Sequence, residues 1–346
     1  MSETASTPEK QPIPKKVQKD PRAKLFKPEI SFILASSPHF HASASVPKIM
    51  WNVILALVPA VIMAFIYFGW ASAGLILSSV SAALLSEMLV NKVKGGGFTI
   101  LDGSAAITGL LLALTLPPTF SLGGAALGSV FAILIGKHVF GGLGYNIFNP
   151  ALLGRAFLQA SFPVKMTSWS WPLTTQYVDL DGVTAATPLG LFKFEQTTTE
   201  LTGLLTGNIS GSLGETSALA VLAGGLYLLI RKYADWRIPL SYLLSVFLIS
   251  GIFWLISPEV YPSPVFHLFS GGLMLGAFFM ATDMVTSPVT AAGAWIFGAG
   301  AGLVLVLIRL FGGLPEGVMY SILFMNAFTP IINRYTRPKF FGEIRA

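Results

Sequence analysis

Residues 104–144 read SAAITGLLLALTLPPTFSLGGAALGSVFAILIGKHVFGGLG, and their only formal charge is Lys137. Such a run suits lipid and reads as two apolar segments, 104–120 and 121–139, the first containing Pro117-Pro118. The rest of the chain has the same character. Of 346 residues, 53% are hydrophobic and 11% charged, against about 25% charged in a soluble domain. Mean hydropathy is +0.70. With about 20 apolar residues per crossing, the chain is expected to be an all-α polytopic membrane protein. There are no cysteines, which excludes thiolate-bound iron–sulfur clusters, disulfides and a cysteine nucleophile in this chain.

Ten apolar segments are expected to cross the membrane, near 49–69, 71–90, 104–120, 121–139, 145–162, 215–231, 238–257, 266–283, 291–311 and 316–333. The third, fifth and eighth are short or interrupted by Gly and Pro, as in half-helices. Lys and Arg concentrate on the cytoplasmic side of membrane proteins. With the N-terminus inside, ten crossings put 18 of the 22 Lys and Arg there, leaving Arg155, Lys165, Lys193 and Arg309. The net charge of +6 is thus read as topology, and nucleic acid is not expected as a partner. Residues 1–48 form a cytoplasmic tail with no cleavable signal, in which Lys24–Leu34 is a weak candidate for an interfacial helix. Residues 334–346 close the chain inside.

The opening stretch also has a distant copy. Thr115-Leu-Pro-Pro-Thr119 matches Thr286-Ser-Pro-Val-Thr290, and Phe140-Gly-Gly-Leu143 matches Phe311-Gly-Gly-Leu314; 286 − 115 and 311 − 140 both give 171. Five spans separate the copies. That odd number makes 49–162 and 215–333 two inverted five-helix repeats, whose broken helices would meet at a binding site or conduction path.

Between the repeats lies an outward, polar stretch, 163–214, carrying Asp181-Gly-Val-Thr184-Ala-Ala186-Thr187. One reading is a loop with an Asx turn at Asp181. The other is an attachment site at which a flavin transferase esterifies the Thr187 hydroxyl with the phosphate of FMN. That chemistry calls for an exposed hydroxyl with small neighbours, here Ala185 and Ala186. Trp169 and Trp171 read more simply as interface anchors. Asn208-Ile-Ser210 matches a glycosylation sequon and is set aside.

Ordered matches to one family run through the chain: Ser37-Pro38-His39, Ile49-Met50, Ala56-Leu-Val-Pro-Ala60, Gly103-Ser-Ala-Ala-Ile-Thr-Gly109, Phe140-Gly-Gly-Leu-Gly-Tyr-Asn-Ile-Phe-Asn-Pro150, Gly154-Arg-Ala156, Ser270-Gly-Gly272, Gly276-Ala-Phe-Phe279, Ala281-Thr-Asp283 and Met325-Asn326. Over about residues 30–342 the chain resembles the RnfD family, the D-type membrane subunits of the Rnf electron-transport complex. These are kin of the B-type subunits of the sodium-pumping NADH:quinone reductase. The resemblance implies covalent FMN on Thr187, with Asp181 and Thr184 as parts of the attachment motif. It also implies the bacterial inner membrane, a periplasmic Thr187 loop, and partners among the membrane, iron–sulfur and flavin subunits of such a complex. A second, non-covalent flavin such as riboflavin is implied for some members. Thr184-Ala185 replaces the family's more familiar Ser-Gly, and Met284 follows Asp283 where proline is usual.

On this reading the chain is an electron relay within a translocase driving Na+ or H+, not an enzyme on its own, and no residue is assigned a catalytic role. Arg155 is a candidate flavin contact or an orienting arginine. Intramembrane charge is costly, so Glu87, Asp102 and Asp283 are candidates for an ion path, with structural pairing or helix capping as the alternative. Lys137, His138 and His267 lie near span ends, and the histidines lack metal-ligand spacing. A transporter or channel without a redox role suits the repeat equally well, and a purely scaffolding protein is a further alternative.

Overall fold

A computed structural model describes residues 45–95, 100–172, 185–215 and 217–338. Asp181, Thr184, Lys24–Leu34 and Ser37-Pro38-His39 lie outside the described residues.

Helices α1 (Val46–Phe68) and α2 (Trp70–Lys94) are joined through Gly69 alone. Its φ of 58° is open to glycine at little cost. Then come α3 (Ser104–Leu114), α4 (Leu122–Phe131, continued by a π-helical turn, Ala132–His138) and α5 (Pro150–Ser161). Short helices α6 (Pro163–Met166), α7 (Pro188–Glu195) and α8 (Leu201–Thr206) follow. The second half comprises α9 (Ala218–Ile230), α10 (Arg237–Ile256), α11 (Pro264–Phe269), α12 (Leu273–Leu275, continued by a π turn, Gly276–Met280), α13 (Ala291–Phe311) and α14 (Val318–Thr336). No strand occurs among the described residues; one isolated bridge pairs Trp169 with Ala185.

Four of these helices, α1, α2, α10 and α13, are long and apolar enough to cross a membrane alone. At 1.5 Å per residue, the 23 residues of α1 extend about 34 Å, enough for a hydrocarbon core of about 30 Å. Only 22% to 44% of their most apolar windows is buried within the protein. The outward faces carry Leu55 and Ile62 on α1, Leu77 and Leu85 on α2, and Ile252 and Leu255 on α10. An apolar surface this continuous is stable against lipid, not water. Of the remaining expected crossings, 316–333 falls on α14, which has 19 residues but is less apolar, and the others fall on shorter pieces. α3, α4 with its π turn, and α9 are short apolar helices; α5 has 12 residues; and 266–283 is divided among α11, α12 and a π turn. The physical reason is local. Pro117-Pro118 ends the α3 segment, and glycines interrupt the eighth.

Small residues let the helices approach closely, the usual solution where lipid removes the hydrophobic drive between them. A Cβ on Gly109 of α3 would lie 2.8 Å from Ser79 O of α2, and one on Gly224 of α9 would lie 1.9 Å from Ala56 O of α1. Ser79 Oγ donates to Gly109 O at 2.7 Å. The broken end of α3 is also satisfied internally, as membrane depth demands: Gly214 N donates to Leu114 O at 2.6 Å and Leu213 N to Leu116 O at 3.1 Å. Asn149 caps α5 by accepting from Ala151 N and Leu152 N, and its Nδ2 donates to Met280 O at 3.1 Å. One side chain thereby joins the two halves.

Candidate functional site

Thr187 stands at the N-cap of α7, with extended backbone (φ −69°, ψ 157°) and Pro188 at the first helical turn. Its Oγ1 accepts from Gly190 N at 3.1 Å, the bond expected of a capping threonine. The residue is only 4% exposed. This corrects the expectation of an open, solvent-exposed hydroxyl. The cause is apolar: Leu189 packs with Leu204, Ile209 and Phe266 into a small core, drawing the start of α7 inward. Ser210 Oγ donates to Ala186 O, and Ala185 N to Trp169 O at 3.0 Å. The stretch between α5 and α9 is therefore a packed cap where described, not a free loop.

Thr187 is buried from bulk solvent but borders a cavity of about 450 Å³, within the roughly 300–1,000 Å³ of ligand pockets. Ala186, Trp169, Met166 and Met319 line it, as do Arg155 and Glu316. Trp169, read from sequence as an interface anchor, is half-buried on this wall. Arg155 projects from α5 and pairs with Glu316 at 2.5 Å.

Behind that pair lies more charge. Arg309 of α13 is buried and donates to His267 O at 2.5 Å and Ser270 O at 2.8 Å. Glu215, in the non-helical segment before α9, is 6% exposed. Its carboxyl and the Glu316 side chain approach one another at the Gly271-Gly272 turn. Lys193 of α7 places Nζ against three carbonyls, those of Gly312, Arg309 (3.3 Å) and Leu314 (3.1 Å). Burial draws its ammonium below the usual lysine value. Glu215, Glu316 and Lys193 went unrecognised in the sequence as site residues. Their signal was present: Arg155 and Arg309, placed within spans, each called for an acidic partner.

The other candidates sit apart from this cavity. Glu87 of α2 is buried and pairs with Lys137, whose Nζ lies 2.7 Å from Oε2 and 2.8 Å from Oε1 and also donates to Ser104 Oγ at 2.7 Å. Asp102 accepts from Ser104 N at 2.8 Å and Ser104 Oγ at 2.6 Å, a cap for α3. Asp283 accepts from Thr286 Oγ1 at 3.1 Å and Val285 N at 3.5 Å. A second cavity of about 90 Å³ is lined by Ser104, Lys137, Asn146, Asn149 and Asp283, among others. It has room for an ion and a few waters. Both halves contribute to its walls, whereas Glu87 and Asp102 do not line it. The two cavities share no lining residue; Met50 of α1 lines the smaller one, and at the other end of α1 Tyr67 OH donates to Thr206 O of α8 at 2.9 Å. Among the described residues, no cluster of His, Asp and Glu could hold a metal ion.

Comparison with known proteins adds a family match. The model of the NQR2, RnfD, RnfE family matches residues 33–342. The D-type subunit of the proton-translocating ferredoxin:NAD(+) oxidoreductase complex of Clostridium ljungdahlii is 47% identical over 91% of this chain and 97% of that protein. Its counterpart in the Na(+)-translocating ferredoxin:NAD(+) oxidoreductase complex of Acetobacterium woodii is 46% identical over 91% of this chain and 96% of its own length. The counterpart in the ion-translocating oxidoreductase complex of Shigella boydii is 40% identical over 90% and 99%.

Proposed function

Because the chain belongs to the NQR2, RnfD, RnfE family, we propose that it is the D-type membrane subunit of a redox-driven ion translocase and carries FMN as a phosphoester on Thr187. The observation that carries this reading is the position of one hydroxyl: Thr187 caps α7 and borders the ligand-sized cavity. A helix N-terminus offers unpaired N–H groups and a partial positive charge, which favours a phosphate. Arg155 supplies a guanidinium on the same wall. Trp169, Met166 and Met319 provide the apolar and aromatic surface that a flat ring system needs. FMN bound there would supply one-electron chemistry. The protein's own part is to anchor the phosphate, exclude water and set the local charge through Arg155 and Glu316.

The order of the helices supports an inverted repeat. α1, α2, α4 and α5 begin at Val46, Trp70, Leu122 and Pro150, and α9, α10, α13 and α14 at Ala218, Arg237, Ala291 and Val318. Each separation falls near the offset of the sequence repeat. Caps recur in step, with Ser45 and Ser121 in the first half answered by Ser217 and Thr290 in the second. We place the ion path at the smaller cavity, where broken helices of both halves meet, with Asp283 on its wall and Lys137 linking it to Glu87. That cavity is too small for a flavin, and riboflavin is assigned no site. Relatives named for protons and for Na+ are equally similar to this chain, so overall likeness does not choose the ion. The orientation that follows from the charge distribution puts both termini in the cytoplasm of a bacterial cell and Thr187 at the outer face. The other proteins of the complex, and a flavin transferase, are the partners.

The test is direct. The full chain, co-expressed with a flavin transferase, should give a fluorescent band on a denaturing gel, and Thr187→Ala should abolish it. A dark wild-type band would favour a transporter or scaffold, and a bright Thr187→Ala band would move the attachment elsewhere.

A further inference from the structure

We propose that Glu215 and Glu316 share one proton and form a proton-binding site against the Thr187 cavity. The two residues converge on the turn at Gly271-Gly272. A Cβ on Gly272 would lie 3.3 Å from Glu215 Oε1, and one on Gly271 would lie 3.2 Å from Arg309 Nη2 and 4.0 Å from Glu316 Cγ. Each glutamate has one oxygen, Oε1 in both, that is buried and finds no donor among the described residues. An ionised carboxylate only accepts hydrogen bonds, so two facing carboxylates leave both oxygens unsatisfied and repel one another. One proton removes both faults. It makes one carboxyl a donor to the other and halves the negative charge, as in other paired carboxyls that ionise in two separate steps.

The surroundings favour a proton over a metal cation. Gly211 and Gly272 press against the Glu215 carboxyl, a Cβ on Gly211 lying 2.9 Å from Oε2. This packing leaves little room for a coordination shell. The charged and titratable groups around the pair are mainly cationic or neutral: Arg155 from α5, Arg309 from α13 with Tyr242 of α10 close to it, His267 from α11, and Lys193 of α7 bonded to nearby carbonyls. Ser212 N donates weakly to Glu215 Oε2 at 3.4 Å. With the proton on, two guanidiniums oppose one carboxylate, and the cluster carries a net positive charge beside the cavity. With the proton off, the two guanidiniums and two carboxylates balance, and only the Lys193 ammonium nearby adds charge. Proton uptake from water thus adds one positive charge to the wall that Thr187 and Arg155 share, and release returns it to water.

The proton can be observed without any flavin, so the test is independent of the attachment to Thr187. The full-length chain, made without a flavin transferase and labelled with carbon-13 at glutamate side-chain carboxyls, is examined by infrared spectroscopy in lipid nanodiscs. A protonated glutamate band is expected at pH 7 that shifts in deuterated water. It should be lost in Glu215→Gln and equally in Glu316→Gln, because each amide supplies the donor that the proton had supplied. In the wild type it should fade in one step at a pH well above the ordinary glutamate value of about 4.3, a measurement that stands even if neither variant folds. Absence of the band at pH 7, its survival in either folded variant, or titration in the ordinary range would each overturn the proposal.

Discussion

Thr187 is assigned two roles, as a helix cap and as an attachment point, and substitutions can separate them. Alanine removes both. It leaves the Gly190 N–H, now bonded at 3.1 Å to Thr187 Oγ1, without a partner at a position sealed from bulk solvent. Losing a cap costs about 0.5–2 kcal/mol, and an orphaned buried donor about 1–3 kcal/mol. A loss of about 1–2 kcal/mol multiplies opening of the first turn of α7 by roughly 5–30. Asparagine caps as well as threonine but has no hydroxyl to esterify. Serine keeps both functions. Hydrogen exchange of the peptide spanning α7, read by mass spectrometry in nanodiscs, should therefore rank Ala well above Asn, Ser and wild type. The gel should show flavin in Ser and wild type only. Equal exchange in Ala and Asn would refute the capping argument, and flavin on the Asn variant would refute the attachment.

Two further outcomes concern the bundle. The Glu87–Lys137 pair, at 2.7 Å and nearly sealed from solvent, has a gross attraction of about 6 kcal/mol at an effective dielectric constant near 20, much of it offset by desolvation. Glu87→Leu or Lys137→Leu alone should each cost about 3–5 kcal/mol, and the double variant should recover most of that; thermal unfolding in detergent measures it, and strictly additive losses would exclude the coupling. Gly224→Ala should lower the unfolding temperature by forcing α1 and α9 apart, since its Cβ would meet Ala56 O at 1.9 Å. Gly123→Ala, with nothing within 4 Å, should be neutral or stabilising by up to about 1 kcal/mol, and equal behaviour of the two would contradict the packing described.

Much of the architecture was legible because bilayer physics writes itself into sequence. Apolar length marked α1, α2, α10 and α13, and the third segment was read as short or interrupted, though its end was set at 120 and α3 stops at Leu114. The same reasoning could not see how short helices make up the other expected segments, where a carbonyl can be satisfied from far along the chain, as Leu114 O is by Gly214 N. At the site, Thr187 and Arg155 were both singled out, and the fold brings them to one cavity. That Thr187 would be buried was not legible. Its burial depends on Leu189 meeting Leu204, Ile209 and Phe266, residues whose association is tertiary. Asp102 and Asp283 stood out as charges near apolar runs, and each spends its oxygens largely on neighbouring turn or helix donors. Glu215 and Glu316 fall at span edges, where an acid attracts little notice until its partner is known.

Lys193 ties the far end of α7 to the carbonyls that close α13. The opposite end of α7 is Thr187, and the chain just beyond α13 supplies Glu316. Two walls of one chamber are therefore riveted together, and neither can swing away as a lid. A flavin mounted on that threonine, as proposed above, would keep a fixed address within this protein. If the proposed flavin is there, electron traffic to and from it would have to be arranged by bringing neighbours within reach, not by sending the mounted group out to meet them.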